Sequence, residues 1–452
     1  MAEAAQAVNC GYFDGFKLGK KQKHFLWIAA LAYAFEMIDG GLFNYVTPVL
    51  QADWGITMEK ISTLQSLTFI GMFFGGFFGG WFADKIGRKW GLLISIGIFS
   101  VGSLLTMICQ PDHILTLELS RFLTGMGVVG QAVIGQVYIA EMMPKENRGR
   151  YQALTVASGT IFVPLSAIVC KWILAMGGES WRWMFFLGGG VAILMVPLGA
   201  VLLLESPRWL IQKGRQAEAE KVVECCIGVK TDLSAQMAAC NTQGIGMIKT
   251  MQIMFSKAYI KRTLVVLVVC WGVLIGNTYT MGWIAALLSG LGMPLATIMT
   301  IMAVSQWGTP IGDFVCSTVA EKGGRKGPIV IFCMITGVCY IGIGFVKGAA
   351  VAFAVLYFLR CVFGNGATTM MWNYTAENYP NAIRGSANGI LMGSGRLVVA
   401  ASMVTIPMFM NTIGYTGVMT VNGLLYIIPA LIVLAMGTKT ANVSLEELEV
   451  KE

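Results

Sequence analysis

Long uncharged apolar runs alternate with short charged segments along almost the whole chain. Residues 61–83, 90–111, 183–204, 263–288 and 411–438 contain no Asp, Glu, Lys or Arg. Each exceeds the roughly 20 residues that a helix needs to cross about 30 Å of hydrocarbon. Runs this long and this uniformly apolar are rarely core helices of a water-soluble protein. The same reading of 25–50, 114–140, 151–170, 292–320, 328–346, 348–376 and 385–410 gives twelve predicted spans. The expected fold class is an all-α polytopic membrane protein.

The polar punctuation between the runs repeats. Asp84-Lys85-Ile86-Gly87-Arg88-Lys89 recurs as Glu321-Lys322-Gly323-Gly324-Arg325-Lys326, 237 positions later. Arg121-x-x-x-Gly125-x-Gly127 recurs as Arg360-x-x-x-Gly364-x-Gly366, and Glu141-x-x-Pro144-x-x-x-Arg148-Gly149 as Glu377-x-x-Pro380-x-x-x-Arg384-Gly385. Two related six-helix bundles follow, 25–204 and 263–438, able to rock about a central site. A tail at 1–24, a linker at 205–262 and a tail at 439–452 complete the expected organisation. Residues 215–224 are rich in helix formers and predict an amphipathic helix in the linker. Glycines at 71, 75, 76, 79 and 80 in the second span predict close helix packing.

Composition agrees: 56% of residues are hydrophobic and 12% charged, against about 25% charged in soluble domains. With the N-terminus in the cytoplasm, 25 of the 32 Lys and Arg fall on the inner side, which predicts both termini inside, in the cell membrane. The net charge of +8 then faces anionic lipid and needs no nucleic acid. Residues 1–24 are polar and lead into a span too long for a signal-peptide core, so the first helix is expected to stay. The 11 cysteines show neither a disulfide framework nor metal spacing, and there are two histidines. No metal site, catalytic triad, phosphate-binding loop or cofactor is expected, and the chain is not read as an enzyme.

These residues resemble the major facilitator superfamily over nearly the whole chain. Gly80-x-x-x-Asp84-Lys85-x-Gly87-Arg88-Lys89 is similar to that family's motif between helices two and three. Glu205-Ser206-Pro207-Arg208-Trp209-Leu210, followed by Gly214-Arg215, is similar to the segment after helix six in sugar porters and their metabolite-transporting relatives. The resemblance implies twelve helices in two domains, alternating access, and inner-face charge pairs that latch the outward-open state. Asp84, Arg88, Glu141 and Arg148, with Glu321, Arg325, Glu377 and Arg384, are the gate residues so implied. The second copy departs from the first in its Glu321 and Gly323-Gly324, which implies a looser latch. Glu36-Met37-Ile38-Asp39-Gly40 and Gly393-Ser394-Gly395-Arg396-Leu397 carry a sharper resemblance to proton-coupled metabolite and aromatic-acid symporters and their niacin-transporting relatives. A first outer loop of about 51–60 is too short for the organic-ion carriers of the same superfamily.

An ionisable side chain near the middle of a bilayer costs about 2.5–3.5 kcal/mol on insertion scales, so each is a functional candidate. Glu36 lies about twelve residues into the first span, near its middle, and Asp39 one turn further. A spacing of three puts both on one face with Tyr33 and Phe43. Two carboxylates in a low dielectric do not both ionise cheaply, which suits one of them to carrying a proton; a static ion-paired acid is the plain alternative. Gly40-Gly41 is expected to weaken the helix just beyond them. The resemblance assigns Asp39 and Arg121 as a coupling pair and leaves Glu36 as either a second proton site or a substrate contact. Arg360 is explained at least as well by a structural role.

Arg396 keeps its charge and needs an anion: Glu36, Asp313 or a substrate carboxylate. Gln131, Asn277, Tyr279, Trp283, Gln306, Trp307 and Asn365 lie at matching depth and are candidate substrate contacts, although each alone is more often a packing residue. Asp313 stands where the first half has Gly76, and is a further titratable candidate. The function expected is proton-coupled symport of a small organic anion, a monocarboxylate or aromatic acid. A proton–sugar or proton–polyol symporter is the alternative, and a non-transporting membrane sensor a third class. The expected partners are that small molecule, protons and the lipid bilayer, with the chain a monomer.

Overall fold

Backbone that lies in hydrocarbon has no water to bond, so an uncharged run of this length satisfies its amides only by coiling into helix. A computed structural model describes residues 13–14, 16, 18–144, 148–229, 231–234, 247–323, 326–346, 349–379 and 383–437 of the chain. Helices α1 (Lys20–Trp54), α2 (Met58–Ile86), α3 (Arg88–Ile108), α4 (Ile114–Met142) and α5 (Arg148–Ala175) lead into α6 (Gly178–Leu202). The last of these is segmented, with a π turn at Phe186–Gly190. Three short helices follow: α7 (Pro207–Gln212), α8 (Gln216–Ile227) and α9 (Met247–Met254). Then come α10 (Ile260–Met281), α11 (Ile284–Gly290), α12 (Leu295–Ser305) and α13 (Gly308–Gly323). Helices α14 (Lys326–Phe345), α15 (Ala350–Glu377), α16 (Arg384–Met403) and α17 (Thr405–Met436) complete the described chain.

Among the described residues, ten helices are long and apolar enough to cross a membrane. The other two expected spans are the eighth, divided at Gln306 and Trp307 into α12 and α13, and α16, which carries Arg396. The seventh span is also divided, at Gly282 and Trp283. Within α17 the backbone leaves helical geometry at Gly414, whose φ of +66° marks the turn expected near 410. The linker helix expected at 215–224 is α8.

Two expectations fail. Gly40-Gly41 does not break the first span, because α1 is one helix from Lys20 to Trp54 with Pro48 inside it. Gly41 packs against the Tyr45 ring, where a Cβ would meet Cε2 at 3.4 Å, and hydrocarbon gives a broken backbone nothing to bond. The first connection is only residues 55–57, not 51–60, since both flanking helices extend past their apolar runs and Gly55, at φ +64°, turns the chain.

The chain divides into two compact units. One takes in Met1–Asp39, Gly71–Gly159 and Phe185–Gln243; the other takes in Gly40–Ile70, Thr160–Met184 and Gly244–Glu452. In the first unit, Phe25, Ile28, Leu92, Ile96, Tyr138 and Ile139 form a core against which Trp209, Leu210 and Val223 of α7 and α8 pack. Gln22 Nε2 donates to the Met142 carbonyl at 2.7 Å and ties the start of α1 to the end of α4.

Small residues set the helix spacing in both units. Cβ atoms at Gly71 and Gly75 would lie 2.1 Å from the Phe122 oxygen and 2.0 Å from the Met126 oxygen, and one at Gly79 2.9 Å from the Gly130 Cα, so α2 touches α4 backbone to backbone. In the second unit, Gly308 and Gly312, each 237 positions after Gly71 and Gly75, do the same between α13 and α15. Cβ atoms there would meet the Phe358 oxygen at 2.8 Å and the Val362 oxygen at 2.2 Å. The internal repeat is therefore a repeat of packing as well as of motif. Large apolar side chains such as Leu115, Val201, Phe314 and Val351 remain exposed, as an apolar rim.

Candidate functional site

In the first unit, a spacing of three along α1 presents Glu36 and Asp39 to the same side, and both are buried. Ser103 Oγ donates to Asp39 Oδ1 at 2.5 Å, a short charge-assisted contact, whereas Asp39 Oδ2 is buried without a hydrogen-bond partner. Arg121 on α4 is near enough to act on Asp39 electrostatically. Its Nη2 donates to Thr106 Oγ1 and Thr124 Oγ1, both at 3.0 Å, and its guanidinium lies 5.5 Å from the Phe185 ring centroid. Gly102 makes this meeting possible, since a Cβ there would lie 2.6 Å from the Thr124 amide nitrogen.

Gln131 Nε2 donates to the Ala32 carbonyl at 2.8 Å and to Glu36 Oε2 at 3.3 Å. Tyr33, Glu36, Gln131, Gln136 and Thr155 line a small cavity at this point. Ser103, Thr106 and Thr124 were absent from the sequence-based candidates. Ser and Thr recurring at 100, 103 and 106 in an otherwise apolar span is the signal that marks them.

In the second unit, Arg360 is buried and Nη2 donates to both the carbonyl and Oδ1 of Asn277, each at 2.7 Å, while Nε donates to the Tyr340 hydroxyl. Asn277 is thus held in place by the counterpart of Arg121. Tyr279 and Thr405 share a hydroxyl hydrogen bond of 3.2 Å. Trp283 is fully buried at the break in the seventh span, and Gln306 is buried at the break in the eighth, where its Oε1 accepts from Thr309 at 3.3 Å. Trp307, beside it, is 40% exposed. Asn365 Nδ2 donates to Asp313 Oδ1 at 2.7 Å and to the Thr309 carbonyl at 3.2 Å. Arg396 is half-buried on α16, next to Gly395, where a Cβ would lie 2.5 Å from Leu274 of α10.

Of the expected gate, Arg88 is the centre. It bonds Asp84 at 2.6 Å and grips Glu141 through Nε and Nη2 at 3.1 and 3.2 Å. Glu205, read in the sequence as a family marker, caps α3: its Oε1 accepts from the amides of Arg88 at 2.7 Å and Lys89 at 3.1 Å. Gly87, at φ +106°, leaves room for that carboxylate, which would stand 2.1 Å from a Cβ. Trp209 Nε1 donates to the Asp84 carbonyl at 2.9 Å. The side chains of Arg148, Glu321, Arg325, Glu377 and Arg384 lie outside the described residues. No cluster that could hold a metal ion occurs among the described residues.

A Major Facilitator Superfamily model matches residues 29–403. The putative metabolite transport protein YyaJ of Bacillus subtilis is 26% identical over 92% of this chain and 93% of its own length. The niacin transporter NiaP of Acinetobacter baylyi is 26% identical over 96% and 98%, and a gallate transporter of Pseudomonas putida 24% identical over 94% of each. Among solved structures, the crystal structure of a D-xylose–proton symporter is similar at a TM-score of 0.74 with 18% identity, covering 92% of this chain and 98% of that one. A partially occluded, inward-open form of the xylose transporter XylE from E. coli gives 0.75 with 16% identity, covering 93% and 100%. A family match over most of the length, joined to twelve-span architecture and a repeated helix packing, makes this chain a transporter of the major facilitator superfamily.

Proposed function

We propose that the chain is a proton-coupled symporter of a small organic anion, a monocarboxylate or aromatic acid, working by alternating access. The observation that carries this is Asp39. It is a carboxylate buried in a membrane-crossing helix, with Ser103 on one oxygen, no hydrogen-bond partner on the other and Arg121 nearby. Such an acid can alternate between two states, ionised against the guanidinium or protonated on the open oxygen. Glu36, held by Gln131, is the second proton site or the first substrate contact. Arg396 supplies the fixed positive charge that a carboxylate substrate needs. Relatives named as niacin and gallate transporters support an aromatic acid. The arrangement proposed is 25–204 and 263–438 as rocking bundles in the cell membrane, both termini cytoplasmic, in a monomer.

A proton–sugar symporter is the second reading, favoured by the amides of Asn277, Gln306 and Asn365 in the second unit. Proteoliposomes loaded for pH-gradient uptake separate the two, with labelled nicotinate, gallate and D-xylose as probes. The acids are expected to accumulate, and Asp39→Asn to abolish accumulation while counterflow exchange persists. Accumulation by Asp39→Asn would overturn the coupling assignment. Uptake of D-xylose alone would favour the second reading.

A further inference from the structure

Asp313 is the carboxylate that the Asp39–Arg121 arrangement does not use. It sits one turn into α13, after the break at Gln306 and Trp307, and is half-buried. Its Oδ1 accepts from Asn365 Nδ2 at 2.7 Å and from Thr369 Oγ1 at 2.8 Å, both on α15. Its Oδ2 is buried and makes no hydrogen bond among the described residues. From α5 the neutral hydroxyl of Thr160 faces it.

Two of the charges on the helices packed against α13 are engaged elsewhere. Arg360, on α15, is committed to Asn277 and Tyr340. Lys326, the one charged residue of α14, bonds the Gly437 carbonyl at 2.9 Å. That helix otherwise contributes the titratable Cys333, Cys339 and Tyr340, and α13 itself Cys316; Glu321 and Lys322 lie at its far end. The groups facing Asp313 itself are thus an amide and two hydroxyls, all neutral. A carboxylate largely withdrawn from water among neutral groups, with one oxygen that makes no hydrogen bond, is relieved by a cation at that oxygen. The smallest cation, and the one needing fewest ligands, is a proton.

We propose that Asp313 is a further proton-binding site, separate from Asp39 and Glu36, mounted on α13 and read by α15. Taking a proton from hydronium forms an O–H bond at Oδ2, removes the negative charge and leaves water; releasing it to water breaks that bond and restores the charge. Protonation weakens the charge-assisted bond that Asn365 makes to Oδ1, and Asn365 divides its amide hydrogens between Asp313 and the Thr309 carbonyl. The proton therefore sets how firmly a candidate substrate contact is held. The inference deepens the proton-coupled reading and rests on it for its part in transport, but its test requires no substrate.

The full chain in lipid is examined by infrared difference spectroscopy between about pH 5 and about pH 9, a range that brackets neutral pH widely. The carboxylic C=O band that appears on acidification is expected to have one component lost in Asp313→Asn and retained in Asp39→Asn. Superimposable spectra of Asp313→Asn and the parent overturn the proposal. So does a component suppressed by sodium at fixed pH, which makes the site one for a metal cation. Thr369→Val keeps the carboxyl and removes one donor to its charged form, so it serves if Asp313→Asn does not fold. The midpoint of that component should then rise by about one pH unit, and an unmoved midpoint overturns the proposal. Failure of Asp39→Asn in uptake leaves this component untouched, so the two readings fail separately.

Discussion

Arg88 makes two ion pairs with one guanidinium, and burial decides which of them matters. Its partner Asp84 is 70% exposed, so water and salt already screen that pair, and such pairs are worth about 0–1 kcal/mol. The side chains of Arg88 and Glu141 are 8% and 7% exposed, and removing one member of a buried pair costs about 3–5 kcal/mol because the other charge is stranded. Arg88→Ala should therefore lower the unfolding temperature of the purified protein sharply, while Asp84→Asn should move it little. Equal losses from the two substitutions would mean that Asp84 carries structural weight despite its exposure. The sequence placed both residues at a motif but could not rank them. Nor did it predict Glu205 as the cap of α3. That contact joins positions 117 apart and depends on the backbone of Gly87.

At the scale of a helix pair, the glycine row of α2 was legible in the sequence, but which glycines bear the contact was not. Gly71, Gly75 and Gly79 face α4, Gly76 meets a Val129 methyl at 3.3 Å, and Gly80 has nothing within 4 Å. Gly75→Ala drives a methyl into the Met126 carbonyl and should destabilise by roughly 1–3 kcal/mol, the usual range for overpacking. Gly80→Ala should be close to neutral or slightly stabilising, since alanine is the better helix former. Thermal unfolding of the two variants side by side tests this, and a Gly80→Ala as harmful as Gly75→Ala would show the row acting as a whole. The breaks at Gly282 and at Gln306 escaped the hydropathy pattern because both lie inside apolar runs. Gly40-Gly41 misled in the opposite sense, a permissive sequence held helical by its surroundings.

Across the molecule, the twelve spans followed from long apolar runs, because hydrocarbon leaves the backbone few alternatives, whereas the two compact units take residues from both of the halves that the repeat suggests. The depth and partners of the polar side chains did not follow, since they depend on which helix faces which. One such contact joins distant parts of the second unit. Gln65 Nε2 donates to the Gly282 carbonyl at the break in the seventh span, at 2.8 Å, and Ser66 Oγ to the Ala400 carbonyl at 2.6 Å. Ser62 shares their face of α2 and is buried. Losing one neutral hydrogen bond costs about 1 kcal/mol, or roughly fivefold in a two-state population. In a Ser62→Cys background, Gln65→Leu should therefore speed labelling by a membrane-impermeant maleimide about fivefold. An unchanged rate would mean that this contact does not restrain opening. The doubled glycine contact has its own corollary for protein design. Positions 76 and 313 are equivalent in the repeat beside matching backbone contacts, one a glycine against a Val129 methyl and one holding a carboxylate. Exchanging the two, Gly76→Asp with Asp313→Gly, would move the acid to the opposite half on an unaltered frame. That reciprocal exchange, with Val129→Ala to make room at position 76, asks whether the acid works only in its present copy of the repeat.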